Sequence, residues 1–371
     1  MTVAMQTPAG AMIDAVHRKR VLLGLNLAVL VAGAVLLMER ISLVKVYSAQ
    51  FLIGLAGAFL APTIAAITLG IVGAAAFDKQ FGKNQAFNSA GNVFTALLVA
   101  YVSYKFGYHS IFVVAALLAI PAALCLAAID GKEIDYGRAR GSMQSEGQNN
   151  AKAEGLTALL KDRVLLYFLG TVFLFHLANA AMLPQLGEML SKDKPKAAAP
   201  FMSACIIVTQ LMITALAAWI GTRAELKGRK PLLLLGYGVL PVRGVLYTLT
   251  HATAALIAIQ TLDGVANAIF VVVSILVIKD RTQGTGRFNI AAGSLATMVG
   301  IGAALSNTLG GLLIVHFGYR VSFLGLAGIA LLAFALLWVA VPETLNRRDA
   351  GSGFASESIS SIGTSKRVFA D

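Results

Sequence analysis

Charge is scarce in this sequence. Only 13% of its 371 residues are Asp, Glu, Lys or Arg, about half the roughly 25% of a soluble globular domain. With 57% apolar residues and a mean hydropathy of +0.77, it is not a water-soluble globule. Cysteine is nearly missing: Cys125 and Cys205 both fall in apolar stretches, form no ligand pattern, and read as buried free thiols. The constellations of soluble enzymes are absent as well. There is no HExxH, no GxSxG, no Walker loop and no Cys/His metal spacing. GTGRFN at Gly284 lacks the third glycine of a dinucleotide loop. These absences argue against an enzyme, and no cofactor or metal is expected. No apolar stretch precedes Gly10, so no cleavable signal peptide is visible.

Long apolar runs are what the chain has instead. Ten are long enough to cross a bilayer as helix: Val21–Met38, Val44–Leu69, Gln85–Tyr104, Ser110–Ile129, Val164–Gly187, Phe201–Gly221, Leu232–Leu249, Ala252–Ile278, Ile290–Val315 and Val321–Val341. The short alternating segments of a barrel do not occur. The 36 glycines suit helices that approach one another closely. The net charge of +12 could suggest nucleic acid, so the placement of the basic residues decides its meaning. If Gly10–Arg20 is cytoplasmic, 22 of the 30 Lys and Arg fall on the cytoplasmic side, 7 on the other (Lys45, at the edge of its run, among them), and only Arg243 deep within a span. That asymmetry is the positive-inside signature. The charge therefore reports topology rather than a nucleic-acid partner. The expected setting is a cell (inner or plasma) membrane, with the lipid bilayer as partner and both termini of this chain cytoplasmic.

The spans fall into two groups. Residues 1–129 carry four, 130–163 form the longest polar interruption, 164–341 carry six, and 342–371 are Ser/Gly-rich and read as a disordered cytoplasmic tail. An internal repeat underlies the division. FGYHSIF at Phe106–Phe112 recurs as FGYRVSF at Phe317–Phe323, an offset of 211. Gly10, Asp14, Arg18 and Lys19 map at that offset onto Gly221, Glu225, Arg229 and Lys230. QFLIGLAGA from Gln50 resembles QTLDGVANA from Gln260 at offset 210. Each match falls on the same side of the membrane, so the halves run parallel.

The two basic links resemble the G-x-x-x-D-[RK]-x-G-[RK]-[RK] signature of the major facilitator superfamily of secondary transporters. The first copy has Gly10, Asp14, Arg18 and Lys19, with Ala15 and His17 where Arg and Gly are expected. The second has Gly221, Glu225, Gly228, Arg229 and Lys230, with Glu for Asp. PET at Pro342–Thr344 is similar to that superfamily too. The resemblance implies an all-α integral membrane fold of two bundles related by a parallel repeat, with about ten transmembrane helices present, corresponding to helices 3–12. The first helix and most of the second would then be lacking. It implies gradient-driven, alternating-access transport of a small solute, with a coupling proton or ion as a further partner. The alternative is a truncated, non-transporting remnant or regulatory relative of the same fold. Oligomeric state stays open.

The resemblance also makes the basic links gating elements, in which Asp14 and Arg18, or Glu225 and Arg229, meet helix ends and partner charges in one conformation only. Ionisable groups inside spans are costly and mark function. Arg243 and Asp263 lie at depths differing by less than about 10 Å at 1.5 Å per residue, within reach of one another. They form either a structural ion pair or a site responsive to substrate or protons. His176, Asn179, Gln50, Gln260, Asn267 and Asn307 are further cavity candidates. Gln50 and Gln260 stand where drug–proton antiporters of the superfamily often carry Arg. The fifth-helix pattern of those antiporters is absent at Gly91 and only partly kept at Gly302, Ser306, Gly310 and Gly311.

Overall fold

A bilayer offers the backbone no water, so an apolar chain crossing it bonds its own N–H and C=O groups as helix. A computed structural model of the protein describes residues 2–38, 42–106, 110–142, 161–193 and 195–345, and shows this throughout. The elements are α1 (Thr2–Ala15), α2 (Lys19–Leu36), α3 (Leu43–Phe106), α4 (Ser110–Ala128), a 3-10 turn (Gly131–Glu133), α5 (Tyr136–Ala139), α6 (Arg163–Asn179), α7 (Met182–Asp193), α8 (Pro195–Lys227), α9 (Lys230–Leu246), α10 (Thr253–Thr282) and α11 (Phe288–Ala340). No strand occurs among the described residues. The polar stretch 143–160, the stretch 346–371 and positions 107–109 of the first FGY repeat lie outside them.

α3 and α11 are 64 and 53 residues long. Straight helices of that size would reach about 95 and 80 Å, far beyond a hydrocarbon core of about 30 Å. Each is broken by one glycine: Gly73 at φ 70, ψ 176 and Gly318 at φ 79, ψ 172. That backbone region is essentially open to glycine alone. Each break folds its helix into two spans, 43–72 with 74–106 and 288–317 with 319–340. Among the described residues seven helical stretches, with Arg163–Lys192 taken as one, are long and apolar enough to cross a membrane, two of them twice, and the 17-residue α9 completes the ten apolar runs read from the sequence. The run Val164–Gly187 divides into α6 and α7 at Ala180–Ala181.

The links differ from the sequence reading. Gly10–Ala15 is not a link but the end of α1, and the connection shrinks to Val16–Arg18. Gly221 and Glu225 likewise ride on α8.

The C-terminal bundle has the larger core, with Phe168, Phe175, Tyr237, Leu256 and Phe323 fully buried. In the N-terminal bundle α1 and the 43–72 arm bury Ile13 against Ala58, Phe59 and Ala66. Leu117, Ile120 and Leu124 on α4 are exposed, a face that water would reject and lipid tails accept. Small residues bring the bundles together. A methyl group on Gly10 would strike the Asn289 carbonyl, and one on Gly293 the Gln6 carbonyl. On the other side, a methyl on Gly221 would sit 2.6 Å from the Asp78 carbonyl, and one on Gly82 would sit 2.7 Å from that of Ala217. Thus α1 lies on 288–317 and 74–106 lies on α8. Both contacts start at the end that carries the basic links.

Candidate functional site

Two polar clusters interrupt the apolar packing. At the basic end, Asp14 closes α1 onto the start of α11. Its Oδ1 accepts hydrogen bonds from the Asn289 backbone N–H (3.2 Å) and side-chain Nδ2 (2.8 Å), and its Oδ2 accepts from the Ile290 N–H (2.9 Å). A carboxylate there meets the orphan donors and positive end of the helix dipole. Burial nevertheless pushes the Asp14 carboxyl up to about 6, against these bonds and the nearby Lys19 charge. Lys19 is buried and turns back to the carbonyls of Ile13 (2.6 Å), in the last turn of α1, and Val16 (3.2 Å), just beyond it. Arg18 is exposed and ion-paired to none of the described residues.

The segment after α4 ties the same junction from outside. Tyr136 donates from its hydroxyl to the Asp14 carbonyl at 2.9 Å and stacks on His17 with ring centroids 3.8 Å apart. The carbonyls of Ala139, Arg140 and Gly141 accept from Asn289 Nδ2 (3.0 Å), Phe288 N–H (3.1 Å) and Gly284 N–H (2.6 Å). A link that leaves the N-terminal bundle thus pairs with the α10–α11 turn of the other.

The second copy of the motif is built differently. Arg229 is buried and gives Nη2 to Asp78 at 2.5 Å, Nε to Asp280 at 2.9 Å and Nη1 to the Ala224 carbonyl at 2.6 Å. Lys279 pairs with Asp78 as well, and lies 3.6 Å from Asp280. Two cations and two carboxylates therefore hold 74–106, α10 and the α8–α9 turn together. Glu343 of the PET segment accepts from the N–H groups of Arg229 (2.8 Å) and Lys230 (3.0 Å), capping α9. Gly228 at φ 98 is what admits that carboxylate, since a methyl group would collide with it. Lys230 Nζ donates to the Trp338 carbonyl at 2.7 Å. Glu225 makes no ion pair among the described residues; the partners of Arg229 are Asp78 and Asp280 instead.

Sequence reading missed Asp78, Lys279, Asp280, Asn289 and Tyr136. A signal existed for two of them. Asp78 and Asn289 are separated by the repeat offset of 211, as are Phe77 and Phe288, and Gly73 and Gly284.

The second cluster lies inside the C-terminal bundle. Arg243 on α9 is fully buried and pairs with Asp263 on α10. Its Nη2 also donates to Asn179 Oδ1 on α6 at 2.5 Å and contacts Met182 Sδ at 3.2 Å. Asp263 Oδ2 accepts from Gln260 Nε2 (2.9 Å) and from the hydroxyl of Thr209 on α8 (3.2 Å). The Tyr247 hydroxyl donates to Gln260 Oε1 at 2.5 Å, and Arg243 lies over its ring, 5.5 Å from the centroid. So Arg243, Asp263, Asn179 and Gln260 form one network, and Thr209, Met182 and Tyr247 join it unforeseen. The Nε–H of Arg243 is buried without a partner among the described residues.

The remaining candidates stand apart. His176 is one turn from Asn179, but its Nδ1 pairs with the Val172 carbonyl (3.1 Å) and its ring meets Phe175 and Phe270. Asn267 donates to the backbone carbonyl of Asp263 at 3.0 Å. Gln50 is exposed on α3, and Asn307 is exposed and bonds only its own helix, to the Ala303 carbonyl.

Comparison with known proteins agrees with this architecture. The Major Facilitator Superfamily family model matches residues 1–242 and 224–369. Two uncharacterized MFS-type transporters of Mycobacterium tuberculosis, from strains CDC 1551 / Oshkosh and H37Rv, are each 39% identical over 341 residues, covering 92% of this chain and 82% of theirs. Among solved structures, a transporter of this superfamily, FucP, in its outward conformation superposes with a TM-score of 0.71 at 13% identity, over 91% of this chain and 87% of that one. The human organic anion transporter MFSD10 does so with a TM-score of 0.67 at 16% identity, over 91% and 80%. This chain belongs to the major facilitator superfamily, and its function is alternating-access transport of a small solute across a membrane.

Proposed function

We propose that the two polar clusters divide the work of transport. The junction at the basic end is a gate on the cytoplasmic side, and the Arg243 network is the site that senses the solute or a coupling proton. The observation that carries this reading is the Arg243–Asp263 pair. A largely buried pair between helices of one bundle, tied to four helices, is costly to bury. A hydrophobic pair would hold the helices as well. Its retention fits a group whose charge or partners change during the cycle. The unpartnered Nε–H leaves one donor for an incoming acceptor. In the gate, Asp14 keeps its Asn289 and Ile290 donors only while α1 meets α11, and Arg229 and Lys279 keep Asp78 only while 74–106 meets α8, so opening would break both sets at once and leave Arg229 with Asp280 and the Ala224 carbonyl of its own bundle. Such coupled contacts bias two states separated by a few kcal/mol.

The basic end faces the cytoplasm in this reading, which places the PET segment there and the protein in a cell membrane; α1 runs from that face inward, with Val3 against Gly300, so the expectation of a cytoplasmic N-terminal end does not extend to the start of α1. Purified protein in proteoliposomes with an internal pH dye tests the coupling, using a panel of anionic, cationic and neutral solutes. Solute-dependent acidification that Asp263→Asn abolishes, with solute flux down its own gradient retained, supports a proton site. Unchanged acidification in that variant removes Asp263 from the coupling.

A further inference from the structure

On the N-terminal bundle, α2 and α4 touch where Leu126 packs at Gly24 but part along one side of their seam. A groove of about 1120 Å³ runs between them. Its walls are small and apolar: Gly24, Ala28 and Val31 face Ala119, Ala123 and Ala127. At its mouth the lining changes to Arg18, Arg20 and Lys132. None of these three cations is in an ion pair among the described residues. Arg20 reaches across the seam to the Ala127 carbonyl at 3.0 Å, which aims its guanidinium over the opening.

The repeat shows that the groove is a property of these residues. At the offset of 211, Ala123 and Ala127 correspond to Phe334 and Trp338. In the C-terminal bundle those two rings lie 6.3 Å apart along the matching seam, with Phe334 against Gly238. Leu235, Val242, Leu331 and Trp338 of that seam are exposed, so the seam points away from the bundle interior, towards lipid. Alanine in place of both aromatics leaves its counterpart open. From Arg20 to Val31 the groove follows eleven residues of helix, about 16 Å. That is about half of a hydrocarbon core of about 30 Å, the depth of one leaflet.

We infer that this groove is a binding site for an anionic glycerophospholipid. The acyl chains lie between α2 and α4, and the phosphate is held by Arg18, Arg20 and Lys132. Apolar walls alone would accept any lipid. The three unpaired cations at one end select a negative headgroup, as basic pockets between spans do at the leaflet they face. A soluble anion would find the cations but gain nothing from the walls.

The test uses the full chain, purified in mild detergent and equilibrated with equal amounts of phosphatidylglycerol and phosphatidylcholine. Retained lipid is then counted by native mass spectrometry. Phosphatidylglycerol should be retained at least tenfold over phosphatidylcholine. Neutralising the mouth (R18Q/R20Q/K132Q) should abolish the preference, and filling the groove with Ala123→Trp should release both lipids. Leu331→Trp, on the equivalent seam, should change nothing. Helical circular dichroism and a single gel-filtration peak define the folded variants. Should Ala123→Trp fail them, Ala119→Phe replaces it. Equal retention of the two lipids, undiminished retention in the filled groove, or full displacement by inorganic phosphate would overturn the inference.

Discussion

Phe77 and Phe288 meet edge to face, with ring centroids 6.0 Å apart and planes at 85°. They are the same residue of the two halves, 211 positions apart, so the local two-fold relation between the bundles passes between them. Around this point the contacts repeat in pairs. Gly10 on Asn289 answers Gly221 on Asp78, and Gly293 on Gln6 answers Gly82 on Ala217. The chemistry does not repeat. One side is a carboxylate on a helix N-terminus, and the other is a quartet of full charges. The neutral Asn289 stands where its partner half has Asp78. Geometry is thus shared between the halves, while the forces that hold each junction are not.

The glycines set how closely the junction can shut. Gly10→Val forces a branched side chain into the Asn289 backbone, and overpacking of this kind costs about 1–3 kcal/mol. The shut form should fall roughly 5- to 150-fold in relative population. Thr7 and Thr297 hydroxyls lie 2.8 Å apart across the same contact. In a C125S/C205S background, Thr7→Cys and Thr297→Cys should cross-link rapidly, and Gly10→Val should slow the reaction by at least that lower factor. An unchanged rate would mean α1 can seat without the close approach.

Asp14 should make the junction sensitive to acid. In the shut form burial raises its carboxyl to about 6, whereas a solvated carboxyl stays near 3.8. The shut form therefore binds the proton more tightly. Closing gains as pH falls through about 6, is complete below about 3.8, and loses this contribution as pH rises above about 6. A difference of about two pH units is worth at most about 3 kcal/mol. Spin labels on Ala15 and Gln283 should report a growing short-distance population between pH 7.5 and 5, and Asp14→Asn should flatten that response.

The ten spans and the parallel repeat were legible because length and hydropathy alone decide what can cross a bilayer. Arg243 and Asp263 stood out for the same reason, being charges where charge is rare. The network around them was less visible. Tyr247, Thr209 and Met182 are ordinary residues of an apolar helix until the packing of α6, α8, α9 and α10 aims them at one guanidinium. The gate was hardest to read. Asp78, Lys279 and Asp280 look like solvated charges at span ends, and only the fold brings them under Arg229. Gln50 differs from its repeat partner: Gln260 is buried in the Arg243 network, whereas Gln50 lies on an exposed face of α3.

Glu343 should hold the start of α9 through its two backbone hydrogen bonds. Glu343→Ala removes a cap and a favourable charge at a helix N-terminus, a loss of about 1–2 kcal/mol. Gly228→Ala should cost more, because it adds a collision to about 1–3 kcal/mol of left-handed strain. In the double variant the collision is gone and the strain remains, so it should be more stable than the sum of the single losses. Thermal unfolding of the three proteins in detergent measures this, and strict additivity would show that Gly228 and Glu343 do not communicate.

Stability and transport should separate at Arg243. Arg243→Ala leaves the Asp263 carboxylate buried with only Gln260 and Thr209 beside it, and breaking a buried pair from one side costs about 3–5 kcal/mol. Asp263→Ala strands the guanidinium in the same way. Replacing both together, as R243M/D263L, fills the volume with apolar groups and should recover most of the thermal stability lost by either truncation. If the pair only joins α9 to α10, the double variant will also transport. If it is the sensing site, the double variant will be as stable as the parent in a thermal scan and will move no solute in proteoliposomes. Solute flux at parental rates in that variant would reassign Arg243 and Asp263 to a structural role.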